Sequence, residues 1–393
     1  MTVIGRQFPS EMESYVDQKS GREVVQLTKT GANWHMYFTD NSFTEGDRDI
    51  IYLHSDYHLK DKVEANLFRL DLQTGVRTQL TDFQSQFKKV DCFTKSRDSE
   101  VLVFVGDGDL YAMHLHTGEL KLLYRCPVGY SIGHPHISYD KRYVAVAVCD
   151  IPQVKYKYVG ENYGGFKDAF YAHKNGYLVV AKMDGTGGEI VFEDTHWLGH
   201  VQFAPDTNEY ISYCHEGPWN YVQQRIWMFN TITRHVKPCY VQNENDSIGH
   251  EFWTRDGLIF FDNRGRGHDG TITSDKTQAV TQAAEGQGDI PWIGFADKEC
   301  NLVRKLDLPY YCNHYHANND NTKLVGDAVE DIVLIDIKND QPKIQVLCTH
   351  NTSWRWQLVH CHPCWSWSND KILFASDCAA EGYPQLYMIK MKD

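Results

Sequence analysis

Trp365-Ser366, then Asp370-Lys371-Ile372-Leu373-Phe374-Ala375-Ser376-Asp377, a turn, and Gln385-Leu386-Tyr387-Met388 decide how the chain is read. An aromatic residue and a hydroxyl open the stretch, an Asp follows, and two short apolar runs are separated by a break. Short runs of β-branched and aromatic residues bounded by turn formers read as strands. Working back towards the N-terminus, the template returns six times. Phe43-Thr44 opens a unit containing Ile50 to Asp56 and Asn66 to Gly75, and Phe93-Thr94 opens one containing Glu100 to Gly118. Ile137-Ser138, Phe203-Ala204, Trp253-Thr254 and Ala317-Asn318 open four more. Seven units at roughly fifty-residue spacing predict an all-β chain, a seven-bladed β-propeller with four strands per blade.

Residues 22–30 belong to no unit. They are expected to supply the outer strand of the last blade, closing the ring and removing an open sheet edge. By length, 393 residues could be two or three domains. No segment has a linker's Gly/Ser/Pro or charge bias, so residues 1–393 read as a single propeller domain. The least regular part, 150–175, reads as an insertion over one face of the ring.

The register carries a second pattern. Three residues before the seven openers stand Asp40, Val90, His134, His200, His250, His314 and His362. Equivalent positions of innermost strands surround a propeller's axis, so five successive histidines predict a histidine-lined axial pocket. The competing reading is a structural histidine that hydrogen-bonds within each blade. That device pairs with a Trp-Asp terminus, which these units lack.

Gln357-Leu358-Val359-His360-Cys361-His362 adds two donors beside His362. With His314 from the preceding unit, Gln357, His360 and His362 make a three-imidazole, one-amide set suited to a divalent transition metal. The other arm of the pocket holds His200, His215, Glu216, Arg225 and His250. A neutral His is a competent base, and Arg pairs a carboxylate bidentately. Metal, Arg225 and His250 together suit proton abstraction α to a carboxylate, with His200, His215 and Glu216 as substrate-binding groups. His316 reads as a solvent-facing neighbour.

The net charge is -13, from 52 acidic and 39 basic residues, with no basic cluster. Nucleic-acid and anionic-membrane partners are therefore not expected. The first residues lack a signal-peptide pattern, no apolar run spans a bilayer, and the 11 cysteines are scattered. These features predict a cytoplasmic protein with reduced thiols.

Trp197-Leu198-Gly199-His200, Cys214-His215-Glu216-Gly217-Pro218 followed by Arg225-Ile226-Trp227, His250-Glu251-Phe252-Trp253, His350-Asn351-Thr352-Ser353-Trp354 and Gln357-x-x-His360-x-His362 with Phe374-Ala375-Ser376-Asp377 resemble the oligogalacturonate lyases, seven-bladed propellers that degrade pectin. The likeness runs from Ser20 to the end and is most specific in the last half. It implies β-elimination on short galacturonate oligomers, chiefly the disaccharide, in the cytoplasm. It also implies Mn2+ on His314, Gln357, His360 and His362, with His250 as base and Arg225 assisting. Cys361 departs from the family's His-Pro-His-Pro segment, the chain between Ser353 and Gln357 is shorter, and 150–175 matches poorly. Two other functions stay open on the residues alone. One is a non-catalytic propeller that binds oligosaccharide or protein, the other a metal-dependent uronate isomerase or epimerase.

Overall fold

The computed structural model describes residues 3–391 except 62–63, 155–156, 160–161, 245, 266–267 and 273–289. Seven antiparallel sheets follow one another along the chain, each built outward from its innermost strand, with N-terminal strands added at the outer edges of the first and the seventh. Those first strands are Ala32–His35, Val90–Lys95, the pair Tyr130–Ile132 and His136–Ile137, Leu198–Phe203, Ile248–Trp253, Tyr315–Ala317 and Cys364–Trp365. The protein is a seven-bladed propeller. Apolar side chains of adjacent blades interlock. Val325 and Ile332 of the sixth blade, for example, share a core with Ile372, Phe374 and Ile389 of the seventh. Full burial of one such side chain stabilises by about 1.5–3 kcal/mol.

The Ser/Thr-to-Asp element of the template is a turn lock. The hydroxyl donates to the carboxylate in Ser96–Asp98 (2.6 Å), Ser138–Asp140 (2.9 Å), Thr254–Asp256 (2.6 Å) and Ser366–Asp370 (2.9 Å). Each lock fixes the turn between the first and second strands of its blade. The N-terminal segment closes the ring as expected: Glu23–Gln26 pairs antiparallel with Gln385–Lys390, Val24 standing opposite Ile389. A further strand, Glu13–Val16, adds outside it. Between Tyr143–Asp150 and Gly176–Lys182 of the third blade lie a small hairpin and a helix, Phe166–Ala172. The helix leans on the fourth blade, with Phe166 and His173 against Trp197.

Three pairs of neighbouring blades are also joined by the residue just before the opener. His136 Nδ1 accepts the Phe203 N–H (3.1 Å), Gln202 Oε1 the Trp253 N–H (3.4 Å) and His316 Nδ1 the Trp365 N–H (3.3 Å). His316 is thus a joint between blades, not the solvent-facing residue expected, because its carrier strand abuts the seventh blade. His35 Nε2 meets the Cys361 carbonyl (3.0 Å), and His350 Nε2 the Ala328 carbonyl (2.8 Å). Burial pushes all four histidines below their ordinary range, His316 to about 3.

This arrangement predicts acid lability. Four histidines stay neutral in the folded protein but protonate in the unfolded chain below about pH 6.5. Burial pushes Asp262 and Asp327 up to about 7, so these two bind protons in the folded state first and oppose the trend. The four joints outnumber the two aspartates, and His250, His314, His360 and His362 are also held low by burial, so the unfolded chain binds the more protons and stability falls as the pH drops from about 6.5 towards about 5. Denaturant unfolding across that window would show it, and a flat profile would refute it.

Candidate active site

The first blade's inner strand breaks after His35, and the loop that follows drives two rings onto the axis. Tyr37 packs against His134, His200 and His362 at centroid distances of 5.8, 5.9 and 5.1 Å. Phe38, buried beneath it, touches His200, His250, His314 and His362 at 5.7–6.2 Å. All five histidines read from the repeat register therefore surround one two-ring plug. Asp40 anchors the loop by accepting from His134 Nε2 (2.7 Å) and from the Thr94 hydroxyl (2.6 Å).

Local backbone geometry explains why the register works. In the second, fourth and fifth blades a β-bulge sets two residues opposite one, and the first of them has positive φ: Cys92 (53°), His200 (46°) and His250 (49°). His362 has φ 42°. Positive φ is uncommon for residues with a Cβ, and bulges re-aim side chains beside functional sites. The second blade's ring position is thus Cys92 and not Val90. Ser96, rather than Thr94, makes that blade's turn lock, which moves the register by two.

His314, His360 and His362 offer ring nitrogens that all lie within 4.8 Å of one another. A single 3-10 turn, Gln357–Val359, folds Gln357 back beside them. Gln357, His360 and His362 line one cavity of about 270 Å³ together with Tyr37, Cys92 and His134. Gln357 Oε1, both His360 ring nitrogens and His362 Nε2 are buried without a hydrogen-bond partner among the described residues. Buried polar groups are ordinarily paired, so an unpaired amide oxygen beside one ring nitrogen from each of His360 and His362, all lining one cavity, fits a cation. Burial, reinforced by the neighbouring imidazoles, holds all three histidines well below their ordinary pKa and so neutral, as metal ligands must be. Asp327 braces the set. Its carboxylate accepts His314 Nδ1–H (2.9 Å) and the His362 backbone N–H (3.3 Å), turning His314 Nε2 inward.

His250 is held from behind by Asp262, whose Oδ1 lies 3.1 Å from Nδ1. Burial, then Arg264, push the imidazole well below its ordinary pKa. The Arg264 guanidinium reaches Asp262 (3.4 Å) and the Asn313 carbonyl (2.8 Å). Trp219 lies against His250 at 4.9 Å and under both Arg225 and Arg264. Gly249 permits this approach: a Cβ there would stand 1.9 Å from the indole.

Arg225 is 2 % exposed, and its Nε donates to Glu251 Oε2 (3.1 Å). Glu251 Oε1 accepts from His200 Nδ1 (2.7 Å), and Glu216 approaches Arg225 Nη1 (3.5 Å) and His200 Nε2 (3.8 Å). Arg225 Nη1 has no hydrogen-bond partner among the described residues. His215 does not join this group. Its side chain leaves the opposite face of the strand and meets Asp194 and His196.

Asp262, Arg264, Trp219, Asp327, Glu251, Tyr37 and Phe38 were not read from the sequence. A signal for the bracing acids does exist. Each blade's second strand runs into an acid: Asp56, Asp107, Asp150, Glu216, Asp262, Asp327 and Asp377. Antiparallel pairing brings that end beside the histidine of the first strand, as Gly249 opposite Asp262 illustrates.

Among proteins of known function, the chain resembles the oligogalacturonide lyase of Pectobacterium atrosepticum, with 25% identity over 416 residues covering 99% of this chain and 98% of the relative. The oligogalacturonate lyase of Dickeya dadantii is 24% identical over the same coverage. Its fold matches that of an oligogalacturonate lyase solved in complex with manganese, with TM-score 0.81 and 22% identity over 100% of this chain and 99% of that one. An oligogalacturonate lyase from Vibrio parahaemolyticus superposes with TM-score 0.80, at 22% identity over 99% of both chains. The oligogalacturonate lyase family model matches residues 2–393, and the chain is a pectin-oligosaccharide lyase of that family.

Proposed function

We propose that the protein cleaves short oligogalacturonides, digalacturonate above all, by metal-dependent β-elimination with His250 as the base. The observation that carries this reading is the unpaired Gln357 oxygen beside unpaired ring nitrogens of His360 and His362, on the same axis as a neutral His250 backed by a carboxylate. His314, Gln357, His360 and His362 would hold a divalent ion, Mn2+ by analogy with the relative solved as a manganese complex. That ion would supply positive charge to the uronate carboxylate and lower the acidity barrier at C5.

The chain's own residues do the rest. Hydrogen-bonding Nδ1 to Asp262 leaves His250 Nε2 as the acceptor, and the protonated ring gains the nearby carboxylate. As Nε2 takes the C5 proton, the C5–H electron pair forms the C4=C5 double bond and the C4–O4 bond breaks, its electron pair leaving on O4, which takes a proton from water. Glu251 fixes the plane of Arg225, whose Nη1 makes no hydrogen bond among the described residues and has the Glu216 carboxylate near it at 3.5 Å, so it can turn to a substrate carboxylate. His200 and Glu216 stand on the same network and bind the sugar, whereas His215 is taken out of that role. Trp219 and the Tyr37–Phe38 plug exclude water around the base.

The test is the ultraviolet absorbance of the conjugated double bond as purified protein acts on digalacturonate. A rise that chelator stops and Mn2+ restores is expected, and a flat trace with Mn2+ on this and other uronides would overturn the reading. Asp327→Asn is expected to weaken metal binding about 10–100-fold, because the amide no longer imposes the His314 tautomer. Equilibrium dialysis would check it, and unchanged affinity would remove Asp327 from the site.

A further inference from the structure

Asp194 ends the outer strand of the third blade, Gly188–Asp194. His196 follows in the connection to the fourth blade, and His215 ends that blade's second strand, Tyr210–His215. One carboxylate meets both imidazoles: Oδ1 lies 2.6 Å from His196 Nδ1 and Oδ2 lies 3.0 Å from His215 Nε2. The two rings are stacked, centroids 4.1 Å apart and planes within 5°. The three candidate ligand atoms lie within 4.8 Å of one another. His215's other ring neighbours are Tyr213 and Trp227, so the cluster is separate from the axial plug.

We propose that Asp194, His196 and His215 form a second divalent-metal site, of zinc class, that ties the third blade to the fourth. Two imidazoles and one carboxylate are the donor types that borderline ions such as zinc and cobalt take. The side chains of His215 and Asp194 are 9% and 14% exposed, while His196 is 48% exposed. An ion would therefore be gripped from the protein side and keep positions for water on the solvent side. Against the effect of burial, the two imidazoles hold the Asp194 carboxyl well below the usual range, so it stays an anion. Burial lowers His215, leaving a lone pair available at neutral pH. In the metal-free protein each ring presents an N–H to the carboxylate, and an ion would replace those protons with two lone pairs. Binding thus releases protons.

The simpler account is that Asp194 only orients His215, and metal uptake separates the two. Metal-stripped full-length protein, titrated with zinc and then dialysed, is expected to retain two ions per chain. His196→Ala and Asp194→Asn each retain one, His360→Leu at the axis retains one, and His196→Ala with His360→Leu retains none. Zinc should raise the melting temperature of His360→Leu and leave that of the double variant unmoved. His196 lies in a connection and its loss does not disturb the core, so an unchanged metal-free melting temperature checks folding. The proposal is overturned if His196→Ala retains as much zinc as the wild type, or if His360→Leu retains none. One ion in the wild type, kept by His360→Leu and lost by His196→Ala, would support this site while refuting the axial one.

Discussion

His250→Ala is expected to lower kcat/KM on digalacturonate by about 10²–10⁴-fold, the range removed with a general base, while leaving the axial metal content unchanged. The two halves of this expectation come from different contacts. His250 spends Nδ1 on Asp262, so its only reactive nitrogen is Nε2, and alanine supplies no substitute. The proposed metal ligands are braced by Asp327 and not by His250, whose ring stands 5.1 Å from that of His314. Truncation leaves the bracket of Trp219 and Arg264 standing, because Arg264 is fixed by the carbonyls of Thr271, Cys312 and Asn313. Asp262→Asn should lose less, since the ring remains but its tautomer and the stabilisation of its cation are impaired. Single-turnover rates with metal analysis on the same samples decide the matter. Retained turnover in His250→Ala would remove His250 from the role, and lost metal would make it a ligand instead.

The repeat was legible because its marks are local chemistry. A hydroxyl and an acid a few residues apart lock one turn, and that spacing survives in the sequence whatever packs around it. Five ring histidines followed from the same register. The second unit misled because Phe93-Thr94 matches the aromatic-hydroxyl opener, yet the lock is made by Ser96 and Asp98. Other site residues were hidden for a different reason. Asp262 and Asp327 act on His250 and His314 across a strand pair, so the link is one of sheet register and not of adjacency in sequence. Tyr37 and Phe38 sit in the loop after the first blade's inner strand, outside the repeated template, and no period points to them. His215 adjoins Glu216 in the chain but faces the other way, because successive side chains of a strand alternate.

His360→Leu is expected to reverse the order of stability with the metal. Both His360 nitrogens are buried without a partner among the described residues, beside Gln357 Oε1 and His362 Nε2. An unsatisfied buried polar group costs about 1–3 kcal/mol, and replacing it with an apolar group of similar size is neutral or stabilising. In chelator, His360→Leu should therefore melt at or above the wild type. Saturating Mn2+ at about 100 times its dissociation constant stabilises the wild type by about 2.7 kcal/mol through binding alone. The variant has lost one of four donors and gains little, so the wild type then melts higher. Turnover of the variant should fall to background with or without added Mn2+. The crossover separates a metal site from a structural histidine: a structural His360 would make the variant less stable in both conditions, and that result would sink the axial assignment.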